Sequence, residues 1–145
     1  MKKITHIIGI IFIAAGLHAQ ESVDEILASN EINAGKSEHI VLSSAFQEMD
    51  AESLDGIYKL YADNGNLSEV RSFDNGQMDG TWLQYDAQQN LVAVANYKDG
   101  LKNGSWIIWD ANGIKRYEMQ YKDGERTGEW KSWNGSGTLV STRNY

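Results

Sequence analysis

The amino-acid sequence predicts an all-β protein: an antiparallel β-hairpin repeat ribbon, four units on a 24-residue period, behind a short N-terminal helix/strand cap. Three observations carry that prediction. Glycines and aromatics recur in register without an insertion: Gly56, Gly80, Gly104 and Gly128; Tyr58, Trp82, Trp106 and Trp130; Tyr61, Tyr85, Trp109 and Trp133; Phe73, Tyr97, Tyr121 and Tyr145. A fixed period of this length marks a stacked repeat, in which each unit covers its neighbour. Asn-Gly and Asp-Gly pairs (Asn64-Gly65, Asn75-Gly76, Asp99-Gly100, Asn112-Gly113, Asp123-Gly124) punctuate the segments, and both residue types tolerate the positive φ of hairpin turns. No apolar 3.6-residue period survives between the glycines, which excludes helices there.

Along the chain, residues 1–19 come first. Lys2 and Lys3 precede an apolar run from Ile4 to Leu17, and Ala19 supplies the small residue of a cleavage site. This is the layout of a secretory signal peptide, and the run is shorter than the ~20 apolar residues of a spanning helix. The expectation is cleavage after Ala19, with an uncleaved anchor as the alternative, and hence an exported protein, periplasmic or extracellular. The expected mature chain keeps 11 Lys+Arg against 20 Asp+Glu, a net charge of −9, and one histidine, His39.

Residues 20–54 form an acidic N-terminal segment. From residue 20 to Asp55 there are nine acids against Lys36 alone, whereas residues 56–145 are nearly neutral at −1. Ser22 and Glu25 fit a capping box ahead of Val23, Ile26 and Leu27, and Asn33-Ala34-Gly35 supplies a stop, so a helix is expected over 23–34. Residues 39–47, with Ile40, Leu42, Ser44 and Phe46 in alternation, read as a strand that would pair with the first repeat and cover its open edge. Residues 47–55 read as an acidic loop. The alternative for the whole segment is a solvated lead-in.

The four units span 55–78, 79–102, 103–126 and 127–145, the last ending on its closing aromatic. Each has two strand-length segments rich in Val, Ile, Tyr and Trp. Leu67 and Phe73 are six apart, as are Leu91 and Tyr97, and an even separation predicts one shared face. Trp82 and Tyr85 are three apart, so either a bulge intervenes or one of them faces outward. Gln89-Asn90 replaces the expected Asn-Gly, which predicts a looser turn in the second unit. Trp82, Trp106 and Trp130 are expected in the core.

The stretch from Tyr97 to Trp106, YKDGLKNGSW, recurs as YKDGERTGEW from Tyr121 to Trp130. With the pattern G-x-W-x-x-Y/W it resembles the MORN repeat in its bacterial variant form, over residues 55–145. The resemblance implies a ribbon of successive hairpins and implies no activity. Antitoxin-like labels attached to some family members add a partner-neutralising role as one further candidate.

Composition narrows the chemistry. There is no Cys, hence no disulfide, thiol nucleophile or thiolate metal site, and a lone His39 supports neither a typical zinc site nor nucleophilic catalysis. No cofactor or metal is expected. Asp63, Asn66 and Glu69 miss the spacing of a calcium loop, and turn chemistry explains the Asp110–Gly113 stretch. A hydrolase would need a carboxylate pair such as Glu118, Glu129 or Asp110, and nothing in the sequence concentrates such a pair. The absence of a basic face argues against nucleic acid, and a net −9 is repelled by anionic lipid. The expected role is therefore non-catalytic: a ribbon surface for a protein or glycan partner. Tyr61, Tyr85, Trp109 and Trp133 are the candidate ligand-binding ladder if that column faces solvent. The alternative is a second core layer.

Overall fold

The computed structural model describes residues 35–145; the expected signal peptide and the helix expected over 23–34 lie outside them. The order is β1 (Glu38–Leu42), a helical turn α1 (Ser43–Phe46), a 3₁₀ turn (Ala51–Ser53), β2 (Gly56–Tyr61), β3 (Leu67–Asp74) and β4 (Gln77–Met78). There follow β5 (Gly80–Tyr85), β6 (Leu91–Lys98), β7 (Leu101–Lys102), β8 (Gly104–Trp109), β9 (Lys115–Lys122), β10 (Glu125–Trp133) and β11 (Leu139–Asn144). They form one sheet in the order β1-β2-β3-β5-β6-β8-β9-β10-β11, with β4 against β3 and β7 against β6. Pairing is antiparallel throughout except for β1, which lies parallel to β2. The all-β hairpin ribbon expected from the repeat is the observed fold.

Units join by the same short ladder each time. Glu69 and Val70 pair with Gln84 and Leu83, Ala93 and Val94 with Ile108 and Ile107, and Tyr117 and Glu118 with Ser132 and Lys131. The turns between units have positive φ at both central residues: 48° and 80° at Asn75-Gly76, 48° and 77° at Asp99-Gly100, 49° and 85° at Asp123-Gly124. That is the type I′ geometry whose twist matches antiparallel strands. The acid or amide that opens each of the first three units has a job one turn later. Asp55, Asp79 and Asn103 accept from the backbone N–H of Asn75, Asp99 and Asp123 at 3.4, 3.2 and 3.2 Å.

The turns inside the units differ from the expected two-residue form. Only their last residue is left-handed: Gly65, Gln89, Gly113 and Gly137. The side chains of Asp86, Asp110 and Asn134 accept two backbone N–H bonds each across these loops, which is Asx-turn chemistry. The second unit's turn is no looser than the others: Asp86 N–H reaches Asn90 O at 3.0 Å, against 2.9 Å from Asp110 to Ile114. Gln89 holds φ +67° while its side chain accepts from Leu67 N–H at 3.1 Å and donates to Leu67 O at 2.9 Å. Those bonds to the preceding unit offset the left-handed strain.

A bulge recurs with the period. Gln84 pairs with Ala93 but Tyr85 with Leu91, leaving Val92 as the extra residue, and Ser68, Arg116 and Val140 stand in the same place in the other units. The extra residue lies on the return strand, so Trp82 and Tyr85 keep opposite faces as regular alternation requires. It also overturns the even-separation expectation. Leu67 packs on the Ile57, Val70 and Leu83 cluster, whereas Phe73 belongs to the cluster of Leu54, Tyr58 and Leu60 on the other face.

The N-terminal segment caps this second cluster. The strand expected over 39–47 stops at Leu42, and α1 turns Phe46 onto the sheet. Within β1 it is Val41 that packs on the core, while Ile40 and Leu42 are exposed, so Phe46 is the one member of the expected alternating set that packs against the core. Burial of Phe46 against two rings outweighs further strand pairing. Inside the expected acidic loop, Asp50 caps the 3₁₀ turn and Leu54 is buried. Among the described residues every buried one lies between Leu54 and Tyr97, and β11 is exposed along its whole length.

Candidate functional site

Alternation, the bulge and the period together give the sheet one aromatic face. Rings on it touch in sequence: Trp82 to Tyr97 at 5.9 Å between centroids, Tyr97 to Trp106 at 5.3 Å, Trp106 to Tyr121 at 5.4 Å, Tyr121 to Trp130 at 5.1 Å and Trp130 to Tyr145 at 4.9 Å. The contacts are tilted or edge-on, the arrangement the ring quadrupole favours. Indole N–H groups anchor the stack, Trp106 donating to Asn96 O at 3.0 Å and Trp130 to Gln120 O at 2.9 Å. Trp82 departs from this and donates to Glu69 Oε2 at 3.0 Å. The tryptophans expected in the core are thus half-buried members of a surface-spanning stack.

Cations lie across these rings. Arg71 sits 5.2 Å from the Phe46 ring centroid and 5.0 Å from that of Trp82. Lys102 lies 4.2 Å from the Trp106 ring, and Arg126 4.8 and 5.3 Å from those of Trp130 and Tyr145. Partly desolvated cation–π contacts of this kind contribute about 0.5–2 kcal/mol each.

The two ends of the aromatic face differ. At the first unit Phe46 lies 5.5 Å from Tyr58 and 6.1 Å from Phe73, and His39 stacks on Tyr58 at 4.6 Å. At the fourth unit an apolar groove of about 240 Å³ lies open between Tyr117, Met119, Trp130, Ser132, Ser141 and Tyr145, with Arg143 beside it. Ile108 and Tyr117 are 36% and 47% exposed and continue its apolar surface. Arg126 donates to the Tyr145 hydroxyl at 3.3 Å, and the Arg143 and Arg126 guanidiniums hold the phenol below its ordinary pKa against partial desolvation.

The ladder residues read from the sequence lie on the opposite, aliphatic face. Tyr85 packs on the Ile57, Val70 and Leu83 cluster. Tyr61, Trp109 and Trp133 are likewise half-buried, and Lys115 lies 5.3 Å from the Trp133 ring. The continuous ring contact instead runs through the Trp82 and Tyr97 columns. The sequence names both of those columns but places Trp82, Trp106 and Trp130 in the core, and the bulge that separates the faces carries no residue signature.

The carboxylates considered for hydrolysis are engaged. Glu118 accepts from Lys115 at 2.9 Å, Glu129 pairs with Lys131, and Asp110 caps its turn and pairs with Arg116 at 3.4 Å. Asp110 sits below its usual pKa, because backbone N–H donors from Ile114 and Asn112 together with Arg116 outweigh its partial burial. A general acid requires the opposite shift. Among the described residues no group of His, Asp and Glu is arranged to hold a metal ion, and no helix is long and apolar enough to cross a membrane.

Residues 54–75, 102–123 and 126–145 match the MORN repeat variant family. The stretch between the first two matches, 76–101, covers the second unit except its last residue, and there Gln89 holds the left-handed position that glycine holds in the other three units. No curated protein and no solved structure matched the chain.

Proposed function

From a sheet that carries three MORN-variant repeats, we propose that this chain is an exported, non-catalytic recognition or scaffolding protein whose aromatic face binds a protein partner. MORN repeats are in general binding modules rather than catalytic ones. The observation that carries the reading is the open apolar surface of the third and fourth units, with Ile108, Tyr117 and Tyr145 all exposed beside Trp130. Rigid aromatic surface of this kind binds at low conformational cost. Export rests on residues 1–19, whose charge and hydropathy follow a signal peptide.

Affinity capture from envelope extracts tests the reading. Wild-type protein is expected to retain a partner that the Ile108→Ser/Tyr117→Ser double variant loses at equal fold stability. Equal retention by both removes the aromatic face from the function. A glycan is the competing ligand, favoured by the ring stack. A polysaccharide that shifts tryptophan emission, with the shift lost in Trp130→Ala, would support it. An antitoxin-like neutralising role requires the protein in the cytoplasm, so N-terminal sequencing and fractionation of the native protein decide that alternative.

A further inference from the structure

The open groove of the fourth unit and the seat of the N-terminal cap are the same place in the repeat. Phe46 rests on Tyr58 and Phe73 with Arg71 over its ring. Moved three periods along the chain, these become Trp130, Tyr145 and Arg143, all of which line the groove. The second and third units carry Ala95 and Met119 where these two units carry arginine, so only the first and fourth share the full set. Two further exchanges open the fourth seat. Leu60 becomes Ser132, and Glu69 becomes Ser141.

The second exchange also changes the charge. Arg71 pairs with Glu69 at 2.8 Å. Arg143 has serine in place of that carboxylate, and Arg126 stands in the column of the buried Leu54. Among the described residues neither Arg126 nor Arg143 makes a salt bridge. An apolar groove with two uncompensated guanidiniums at its rim selects a ligand with an apolar ring and a negative charge beside it.

We propose that this groove takes a polypeptide segment of a partner that presents an aromatic side chain flanked by carboxylates, seated as Phe46 is seated on the first unit. This rests on the recognition role above and specifies its site and ligand chemistry.

A defined peptide tests it: a synthetic copy of residues 38–50, which carries Phe46 with Glu38, Glu48 and Asp50. Titrated into the full protein, it is expected to shift tryptophan emission saturably and to bind at least tenfold more weakly when its Phe46 is replaced by Ala. Ser141→Glu restores the internal carboxylate, and Arg143→Glu reverses the rim charge. Each is expected to weaken binding at least tenfold with an unchanged melting temperature. Ser141 is exposed on β11, so Ser141→Glu leaves the core intact and reads the site even if Arg143→Glu misfolds. Raising salt from 50 to 500 mM is expected to weaken binding as well.

No saturable binding, or equal binding by Ser141→Glu, overturns the proposal, as does self-association through β11 that excludes the peptide. If the peptide fails while envelope capture still depends on Ile108 and Tyr117, this inference falls alone. If capture also fails, the recognition reading falls with it.

Discussion

Across 43 residues of chain, Lys36 places its Nζ 3.2 Å from Oδ1 of Asp79. The same ammonium donates to Phe73 O at 3.0 Å and Asp79 O at 2.7 Å, while Lys98 reaches the other carboxylate oxygen at 3.0 Å. One buried acid thus ties the cap, the first inter-unit junction and the second inter-unit turn together. Burial alone would raise the Asp79 pKa, but the bonds from Lys98, the Asp99 N–H and Lys36 outweigh it and hold it below 3.8.

Asp79→Asn is therefore expected to destabilise the fold at pH 7 by about 2 kcal/mol. That is less than a fully buried pair would cost, because Lys98 is 46% exposed and screened by solvent. A carboxyl with a depressed folded pKa contributes its stability above its unfolded value, and that contribution is lost as pH falls through the folded value. Urea unfolding of the wild type is thus expected to weaken on acidification below the unfolded pKa near 3.8, and the variant to show a shallower slope there. Parallel slopes would remove Asp79 from the acid response.

Gly56 and Gly113 separate two costs of replacing a left-handed glycine. Both have positive φ, 102° and 75°, but a Cβ at Gly56 collides with the Ser37 carbonyl oxygen, which accepts the Ile57 N–H at 2.7 Å, while one at Gly113 meets open space. Gly113→Ala is expected to cost about 1 kcal/mol from the backbone alone. Gly56→Ala is expected to cost about 2–3 kcal/mol by adding displacement of the parallel β1 strand. Chemical denaturation of both variants checks the order.

Gln89 makes the opposite case, a left-handed residue retained for its side chain. Gln89→Ala keeps the strained φ and loses both bonds to Leu67, with an expected cost of about 1 kcal/mol. Gln89→Gly loses the bonds but relieves the strain, and its stability is expected within about 0.5 kcal/mol of wild type. A thermal melt in which both variants fall equally would place no strain at this turn.

Stability is graded along the ribbon. Val70 and Leu83 are completely buried, whereas no residue after Tyr97 is buried. Amide exchange is expected to be slowest in β2 to β6 and fastest in β11, which has a partner on one edge only. Leu83→Ala is expected to cost about 2–5 kcal/mol and Leu139→Ala about 0.5 or less. Uniform protection from β2 to β11 would contradict the gradient.

The period, the glycine columns and the hairpin turns were legible because each depends on a local backbone need. A type I′ turn demands two positive φ values, and Asn-Gly and Asp-Gly meet that demand wherever they stand. The acid or amide ahead of the first three unit glycines was visible as a column, but its partner lies 20 residues on, and no local pattern points there. The bulge was hidden because its extra residue is Ser68, Val92, Arg116 or Val140, a hydroxyl, an aliphatic and a cationic type that follow no common pattern. Missing it assigned Leu67 and Phe73 to one face and obscured which aromatic column runs unbroken. The strand over 39–47 was misjudged because alternation cannot report that Phe46 gains more by folding onto Tyr58 than by extending a strand.

By itself, then, the sequence determined the fold class, the number and length of the units, and a chemistry without Cys and with scarcely any His. These follow from composition and from short-range torsional preferences. Tertiary structure alone decided which face each aromatic occupies, how the cap seats Phe46 on the first unit, and that among the described residues the seat of Phe46 recurs unfilled at Trp130, Arg143 and Tyr145. Those are relations between residues tens of positions apart, created only when the strands pair in register and one extra residue per unit turns the return strand over.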